Sequence, residues 1–353
     1  MRVLNEHDVV MPFLLLKNDN FLGGRKMKKT IVVLFAIILI FVINHAEAGT
    51  WTDLYMPGLE NVSLNGISET KIVGSYKYNS DYQPYYGLLY NLVTGAYTTI
   101  DRPGVGPLGT EVRDVNGDNL VGSYYDIRWH GFIYSLSSQK WTTIDVPGTS
   151  SMQPYGIDGN NVVGYSWDGN NWNGFIYNMI AETYTSLSKP GVEHLYPTGI
   201  SGGNITGRYK ESGLGWRGFI YNMETQTYTT INAPGASDTI ARGIDGNLIV
   251  GHYDGSRSFL YNMTDKIWTS LYDPNGSDNI FPENIGNSKI IFNIGQYGSV
   301  YTMSGDPPVV PECFAPVLGD LNGDCKVDFV DFAIMASHWL ECYLQPPSAC
   351  WWE

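Results

Sequence analysis

The sequence predicts an all-β chain, a six-bladed β-propeller closed by its own N-terminal strand, with a small loop-and-helix module at the C-terminus. Three observations carry this. The aromatic of a "TYTTI"-like phrase recurs at Trp51, Tyr97, Trp141, Tyr184, Tyr228 and Trp268, about every 40 to 46 residues. Composition agrees: 40 Gly, 25 Tyr and 10 Trp among 353 residues, with only 16% charged, suit strands and tight turns. The array also starts and stops in mid-unit. Thr50 to Gly58 matches only a last strand and its turn, and Gly298 to Met303 only a third strand, so the two ends complete one blade.

The N-terminal stretch reads as an export signal. From Met27 two lysines, an apolar run from Ile31 to Ile43 and the small-x-small triplet Ala46-Glu47-Ala48 follow one another. Thirteen apolar residues fall short of the ~20 that span a bilayer, so residues 27–48 are expected to be cleaved rather than to anchor the chain. Residues 1–26 then precede the true start, as a mis-assigned beginning. The mature chain is expected to start at Gly49 and to be secreted or held at a bacterial cell surface.

Residues 49–303 hold the repeat. Each unit contains four short alternating runs separated by Gly, Asn, Asp or Pro. In the unit from Pro154 they are "PYGID", "NVVGYSW", "WNGFIYN" and "TYTSLS", a four-stranded antiparallel meander and therefore one blade. Partner phrases keep step: "GLLY" at Gly87, "GFIY" at Gly131, Gly174 and Gly218, "SFLY" at Ser258 and "GSVY" at Gly298. The alternation of "GFIY" with "GIDGNNVVG" (Gly156 to Gly164) resembles the HAF-type extracellular repeat of bacterial secreted proteins. That resemblance implies an extracellular propeller-like protein, and the family lends no defined activity.

In a meander, the links between strands 2 and 3 share a side with the crossings to the next blade. The chain varies there. "KYNSDYQPYY" (Lys77 to Tyr86), "YDIRWH" (Tyr125 to His130), "WDGNNWN" (Trp167 to Asn173), "KESGLGWR" (Lys210 to Arg217) and "DGSR" (Asp254 to Arg257) bring aromatics beside carboxylates and guanidinium groups. Tyr82, Trp129, Trp167, Trp172, Trp216, Asp126, Asp168, Arg128 and Arg217 are the candidate ligand-binding residues, because flat rings beside polar groups suit the faces and hydroxyls of sugars. The same rings would serve equally to clamp hairpins onto neighbouring blades. No pair of acids is singled out as a glycosidase pair. "YSWDGNNW" and "DVNGDNLVG" read as hairpin turns, despite their partial likeness to an Asp-box and to a calcium loop.

After Met303, Pro307, Pro308, Pro311 and Pro316 make residues 304–316 a stiff linker. In residues 317–353, Asp320, Asn322, Asp324, Lys326, Asp328 and Asp331 fall at positions 1, 3, 5, 7, 9 and 12 of a calcium loop, with Lys326 offering its backbone carbonyl. Phe329, Phe332, Ala333, Ala336, Trp339 and Leu340 then give a following helix one apolar face. "GDLNGDCKVDFVDFAIMASHWL" resembles a type I dockerin repeat, which implies Ca2+ at those six residues and a cohesin-like or envelope partner for the tail. Unlike the family, it has no second copy, Cys325 at loop position 6, and Phe329 and Val330 at positions 10 and 11. Cys313, Cys325, Cys342 and Cys350 are expected to form two disulfides of open pairing, with a zinc site as the alternative.

The net charge of −14 becomes more negative once residues 1–48 are removed, which argues against nucleic acid and anionic membranes as partners. The expected protein is a binding or scaffolding module for an extracellular glycan or protein, attached through its tail. The alternative is an extracellular polysaccharide-degrading enzyme, a glycoside hydrolase or lyase, carrying the same tail.

Overall fold

The computed structural model describes residues 49–77, 84–106, 108–211, 213–272, 280–294 and 297–303, all within one compact unit. The expected leader, the linker, the tail with its calcium loop and four cysteines, and Tyr82 lie outside the described residues. Among those described, no helix is long and apolar enough to cross a membrane.

The described chain is all-β: six four-stranded antiparallel sheets arranged as a β-propeller. β1 (Thr50–Leu54) comes first. Blade I is β2 (Glu60–Ser68), β3 (Lys71–Lys77), β4 (Tyr86–Asn91) and β5 (Tyr97–Ile100). Blade II is β6 (Thr110–Asn116), β7 (Asn119–Tyr125), β8 (Trp129–Ser135) and β9 (Trp141–Ile144). Blade III is β10 (Ser151–Asp158), β11 (Asn161–Trp167), β12 (Trp172–Asn178) and β13 (Thr183–Leu187). Blade IV is β14 (Val192–Ser201), β15 (Asn204–Glu211), β16 (Trp216–Asn222) and β17 (Thr227–Ile231). Blade V is β18 (Thr239–Asp245), β19 (Leu248–Tyr253), β20 (Arg257–Asn262) and β21 (Trp268–Leu271). Blade VI takes β22 (Phe281–Gly286), β23 (Lys289–Ile294) and β24 (Tyr297–Thr302), and its fourth strand is β1, in the order β1-β24-β23-β22. Thr50 pairs with Thr302 and Leu54 with Gly298, so the two half-units join as the sequence expects.

The repeated phrase "GFIYN" has a physical reason at each position. Its Phe (Phe132, Phe175, Phe219 and Phe259) is almost wholly buried, contributing about 1.5–3 kcal/mol per ring. Its Tyr packs at a tilt across the outer strand pair against the repeat aromatic: Tyr134 on Trp141 at 4.4 Å, and Tyr177 on Tyr184, Tyr221 on Tyr228 and Tyr261 on Trp268 at 4.6 Å. Its Asn caps the next turn, Asn178 Oδ1 accepting from the Ile180 and Ala181 amides and Asn222 Oδ1 from Thr225. Its Gly leaves room for the following blade. A Cβ on Gly131 or Gly174 would lie 2.9 or 2.8 Å from the ring of Pro154 or Pro197.

The first strands of all six blades, β2, β6, β10, β14, β18 and β22, pack on one another around the axis, with β22 returning to β2. Their last residues hand hydrogen bonds round the ring. The Gly202 amide donates to Asp158 Oδ2 (2.8 Å), Gly246 to Ser201 Oγ (3.0 Å), Asn287 to Asp245 Oδ2 (2.8 Å) and Glu69 to Asn287 Oδ1 (2.7 Å). Each accepts from the inner turn of the next blade, and the last of these bonds crosses the seam between blades VI and I. "DVNGDNLVG" and "YSWDGNNW" are strand-turn-strand segments, as the sequence predicts.

β1 closes the ring largely through Trp51, whose ring lies 4.8 Å from Phe292 and 5.2 Å from Tyr301. Trp51→Ala is therefore expected to cost about 2–4 kcal/mol in guanidinium unfolding. Tyr55→Ala, just beyond β1 and 75% exposed, is expected to stay within about 0.5 kcal/mol. Equal effects of the two would show that β1 does not hold the ring shut.

Candidate functional site

All six inner strands break register at the same place. The shift falls between Leu64 and Gly66, Val112 and Asp114, Pro154 and Gly156, Pro197 and Gly199, Ala241 and Gly243, and Pro282 and Asn284. Each is a β-bulge, which leaves one residue unpaired and re-aims its side chain. The six extra residues, Asn65, Arg113, Tyr155, Thr198, Arg242 and Glu283, line a single small cavity, one from each blade, so they form a ring about the propeller axis.

Charge collects at this level. Arg113 pairs with Glu111, and Arg242 Nη1 lies 3.3 Å from Glu283 Oε2. Arg208 of β15, paired in the sheet with Tyr196, is half-buried, and its guanidinium lies 5.0 Å from the Tyr196 ring and 5.3 Å from the Trp216 ring. Burial, with the charges of Arg242 and Arg208, pushes His252 down to about 3, so this imidazole is neutral.

One layer further from the hairpins, four blades carry Gly66, Gly156, Gly199 and Gly243, whereas blades II and VI carry Asp114 and Asn284. Asn284 Nδ2 donates to Asp114 Oδ1 (3.3 Å) across the glycine of blade I, and the Ile157 amide donates to Asp114 Oδ2 (3.0 Å). This pair stands between the ring of bulged residues and a cavity of about 250 Å³ at the inner turns. That cavity is rimmed by Asp158, Ser201, Asp245 and Asn287, which already serve the inter-blade hydrogen bonds.

On the opposite side the hairpins and crossings lie together. Ser150 donates to the Trp167 carbonyl (3.0 Å), the Trp216 amide to Asp238 Oδ1 (2.5 Å), and the Asp254 amide to the Asp238 carbonyl (3.2 Å). The structure brings Trp167, Trp172 and Trp216 into one group of rings with Tyr155, Tyr165 and Tyr196. Trp167 and Trp172 lie 5.4 Å apart, Tyr165 lies 5.2 Å from Trp172 and 4.6 Å from Tyr196, and Tyr196 lies 5.5 Å from Trp216. Trp129 stands on blade II with Tyr125 as its ring neighbour at 5.5 Å.

The charged candidates are occupied locally. Asp126 Oδ1 accepts from the Ile127 and Arg128 amides and contacts His130. Arg128 is held by Asp145 (3.1 Å) and the Thr149 carbonyl (3.1 Å), and His130 by Asp145 (2.7 Å). Asp168 accepts from the Asn170 and Asn171 amides (2.8 Å each) and from Asn173 Nδ2 (2.6 Å), which makes it a turn cap. Arg217 reaches the Ser237 carbonyl at 3.4 Å. The Ile127 amide holds the Asp126 carboxyl below the usual carboxylate range, and the Asn171 and Asn170 amides do the same for Asp168. Sequence reasoning did not single out Tyr155, Tyr165, Tyr196, Arg208, Arg113 or Arg242. The legible signal was variation at a fixed place, since Asn, Arg, Tyr, Thr, Arg and Glu precede the "GI" position of successive units while their surroundings repeat.

Burial in the channel raises the Asp114 carboxyl from its ordinary value to about 7. The folded chain therefore keeps this proton where the unfolded chain has lost it. The stability linked to that proton is present below about pH 4 and is lost as pH rises through about 7. Asp114→Asn, which cannot ionise, is expected to melt at least about 2 °C above the parent at pH 8, the gain shrinking towards pH 5, in thermal unfolding across that range. A gain that does not change with pH would rule out this ionisation.

No family model and no curated protein matches the sequence. Solved structures similar to it include TolB from Acinetobacter baumannii, at 13% identity and a TM-score of 0.43, covering 69% of this chain and 54% of that one. An oligogalacturonate lyase in complex with manganese matches at 13% identity and a TM-score of 0.43, covering 74% of this chain and 95% of that one. The extracellular domain of a putative one component system from B. thetaiotaomicron matches at 15% identity and a TM-score of 0.44, covering 72% of this chain and 40% of that one.

Proposed function

We propose that the protein is an exported binding protein whose hairpin face takes an extracellular glycan and whose calcium-loaded tail attaches it to a second, cohesin-like or envelope partner. The observation that carries the glycan reading is the group of half-buried rings, Trp167, Trp172, Tyr196 and Trp216, set side by side over blades III and IV. Rings held in place by packing present flat apolar faces at little entropic cost, which is what the face of a sugar ring needs. Trp129 with Arg128 and Asp126 on blade II, and Trp167 with Asp168 on blade III, extend that face laterally.

A binding role is supported further by the state of the acids. A glycosidase general acid needs a carboxyl whose pKa is held up. On this face, hydrogen bonds to turn amides hold Asp126 and Asp168 down instead. Of the channel carboxylates, Glu111 and Glu283 are paired with arginines, and Asp114, the one held up, accepts from Asn284 and the Ile157 amide on the inner-turn side, away from the hairpin face. Calcium in the tail would be held by Asp320, Asn322, Asp324, the Lys326 carbonyl, Asp328 and Asp331.

Two measurements check the two halves of this reading. The full chain is expected to be retained on at least one member of a polysaccharide panel without releasing reducing sugar. The double change Trp172→Ala and Trp216→Ala should weaken that retention about tenfold or more. Retention unaffected by these changes would place the ligand elsewhere, and sugar release would favour the enzyme reading. Calcium titration of the full chain should show tail binding that is lost in Asp320→Ala/Asp331→Ala, and heat uptake identical in parent and variant would remove the calcium role.

A further inference from the structure

We propose that Arg208 reads a carboxylate on the bound glycan, so that the hairpin face selects an acidic sugar over its neutral counterpart. This rests on the glycan-binding reading above and names the ligand class of the same face.

Charge accounting around the channel points to it. Arg113 and Arg242 stand in the ring of bulged residues on blades II and V, and Arg208, paired with Tyr196, stands on blade IV nearer the hairpins than the bulged Thr198. Glu111 neutralises Arg113 and Glu283 neutralises Arg242. Among the described residues Arg208 has no carboxylate and no hydrogen-bond acceptor, only the two ring contacts. Its nitrogens are not sealed from solvent, unlike Nε of Arg113 and Nε of Arg242. Asp238 of the crossing into blade V and Asp254 of the blade V hairpin are engaged elsewhere. Asp238 accepts from the Trp216 amide, and Asp254 from the Ser237 hydroxyl and the Ser237 and Asp238 amides.

A partly desolvated guanidinium without a counter-charge is costly, and a second cation adds to the cost. Burial and the Arg242 charge lower the Arg208 pKa from its ordinary value. His252 adds no charge, is 7% exposed, and has an unpartnered Nδ1. A carboxylate placed over Arg208 would form charge-assisted, two-point hydrogen bonds and would relieve the repulsion from Arg242.

The position is also right for a sugar substituent. The rings that flank Arg208, Tyr196 and Trp216, belong to the aromatic group proposed to stack on the sugar. The guanidinium lies over both rings, at 5.0 Å from Tyr196 and 5.3 Å from Trp216, so a sugar that meets the free edges of this aromatic group brings its substituents within reach of Arg208. The net charge of the chain is −14, so an acidic glycan gains nothing from the chain as a whole and depends on local cations, Arg208 and the Lys210 ammonium 5.5 Å from the same Trp216 ring.

The test uses the full chain and polymer pairs that differ in the carboxylate alone, polygalacturonate with its methyl ester and alginate with its carboxyl-reduced form. At low salt the acid member of at least one pair is expected to bind about tenfold or more tightly than its neutral partner, the difference shrinking as salt rises. Arg208→Gln should abolish the preference, read as the ratio of acid to neutral affinity, and Trp172→Ala should weaken both members. Should Arg208→Gln fail to fold, Arg208→Lys carries the test, because it keeps the charge but loses the two-point geometry. A preference reduced severalfold supports the assignment, and an unchanged one overturns it. Equal affinity of the parent for both members, or a preference that survives Arg208→Gln, overturns the role of Arg208 and leaves the glycan reading in place. Failure of every acidic and neutral polymer to bind would instead remove the glycan reading itself.

Discussion

Everything in the propeller depends on the closure of the ring by β1 against β24. Each blade buries its faces only against the blades beside it, so an array of five and a half blades would leave apolar strand surface and unpaired backbone edges open at both ends. Trp51 supplies the closing contact and Thr50 to Leu54 the hydrogen-bonded register. Closure also brings the inner strand of blade VI beside that of blade I. On the second strand of blade VI, Asn293 Oδ1 accepts from the Leu64 amide at 2.8 Å and its Nδ2 donates to the Leu64 carbonyl at 3.1 Å.

A closed ring of near-identical blades puts equivalent positions at equal depth along the axis. The bulge common to the six inner strands makes use of this, since it turns one side chain per blade into the channel. Because the scaffold around each bulge is held by Phe, Tyr and Asn of the repeated phrase, the bulged residue itself is free to differ from blade to blade. The outer half of each blade is therefore uniform and the axis is not. Blades II and VI carry the larger departures, Asp114 and Asn284 where four blades have glycine, and these two close the channel across Gly66.

The hairpin side shows the same division of labour in a different form. Its acids and most of its guanidinium groups are used up in fixing turns and crossings, as Asp168 and the Arg128–Asp145 pair show. The rings are left half-buried, packed against one another and under Arg208 and Lys210. Arg208 departs from this rule, since it contacts two rings and no carboxylate among the described residues. Specific recognition commonly resides in such departures, where a local requirement is left for a ligand to complete.

The sequence by itself determined the number of blades, the strand order within each, the closure by the N-terminal strand and the side on which the variable hairpins lie. Those features follow from local rules, namely a period of two within strands, turn residues between them, and a repeat length that fixes one sheet per unit. The sequence also placed Trp167, Trp172 and Trp216 on one face. What only the tertiary structure decided is which of the candidates meet. Trp172 and Trp216 come together through Tyr196, whereas Trp129 remains on its own blade with Tyr125. Likewise Arg208 lies in mid-strand and looks like any alternating polar residue of β15. Its significance depends on residues tens of positions away, Arg242, Tyr165 and Tyr155, which act on it only when neighbouring blades pack face to face, because charge balance is a property of distance in space and not along the chain.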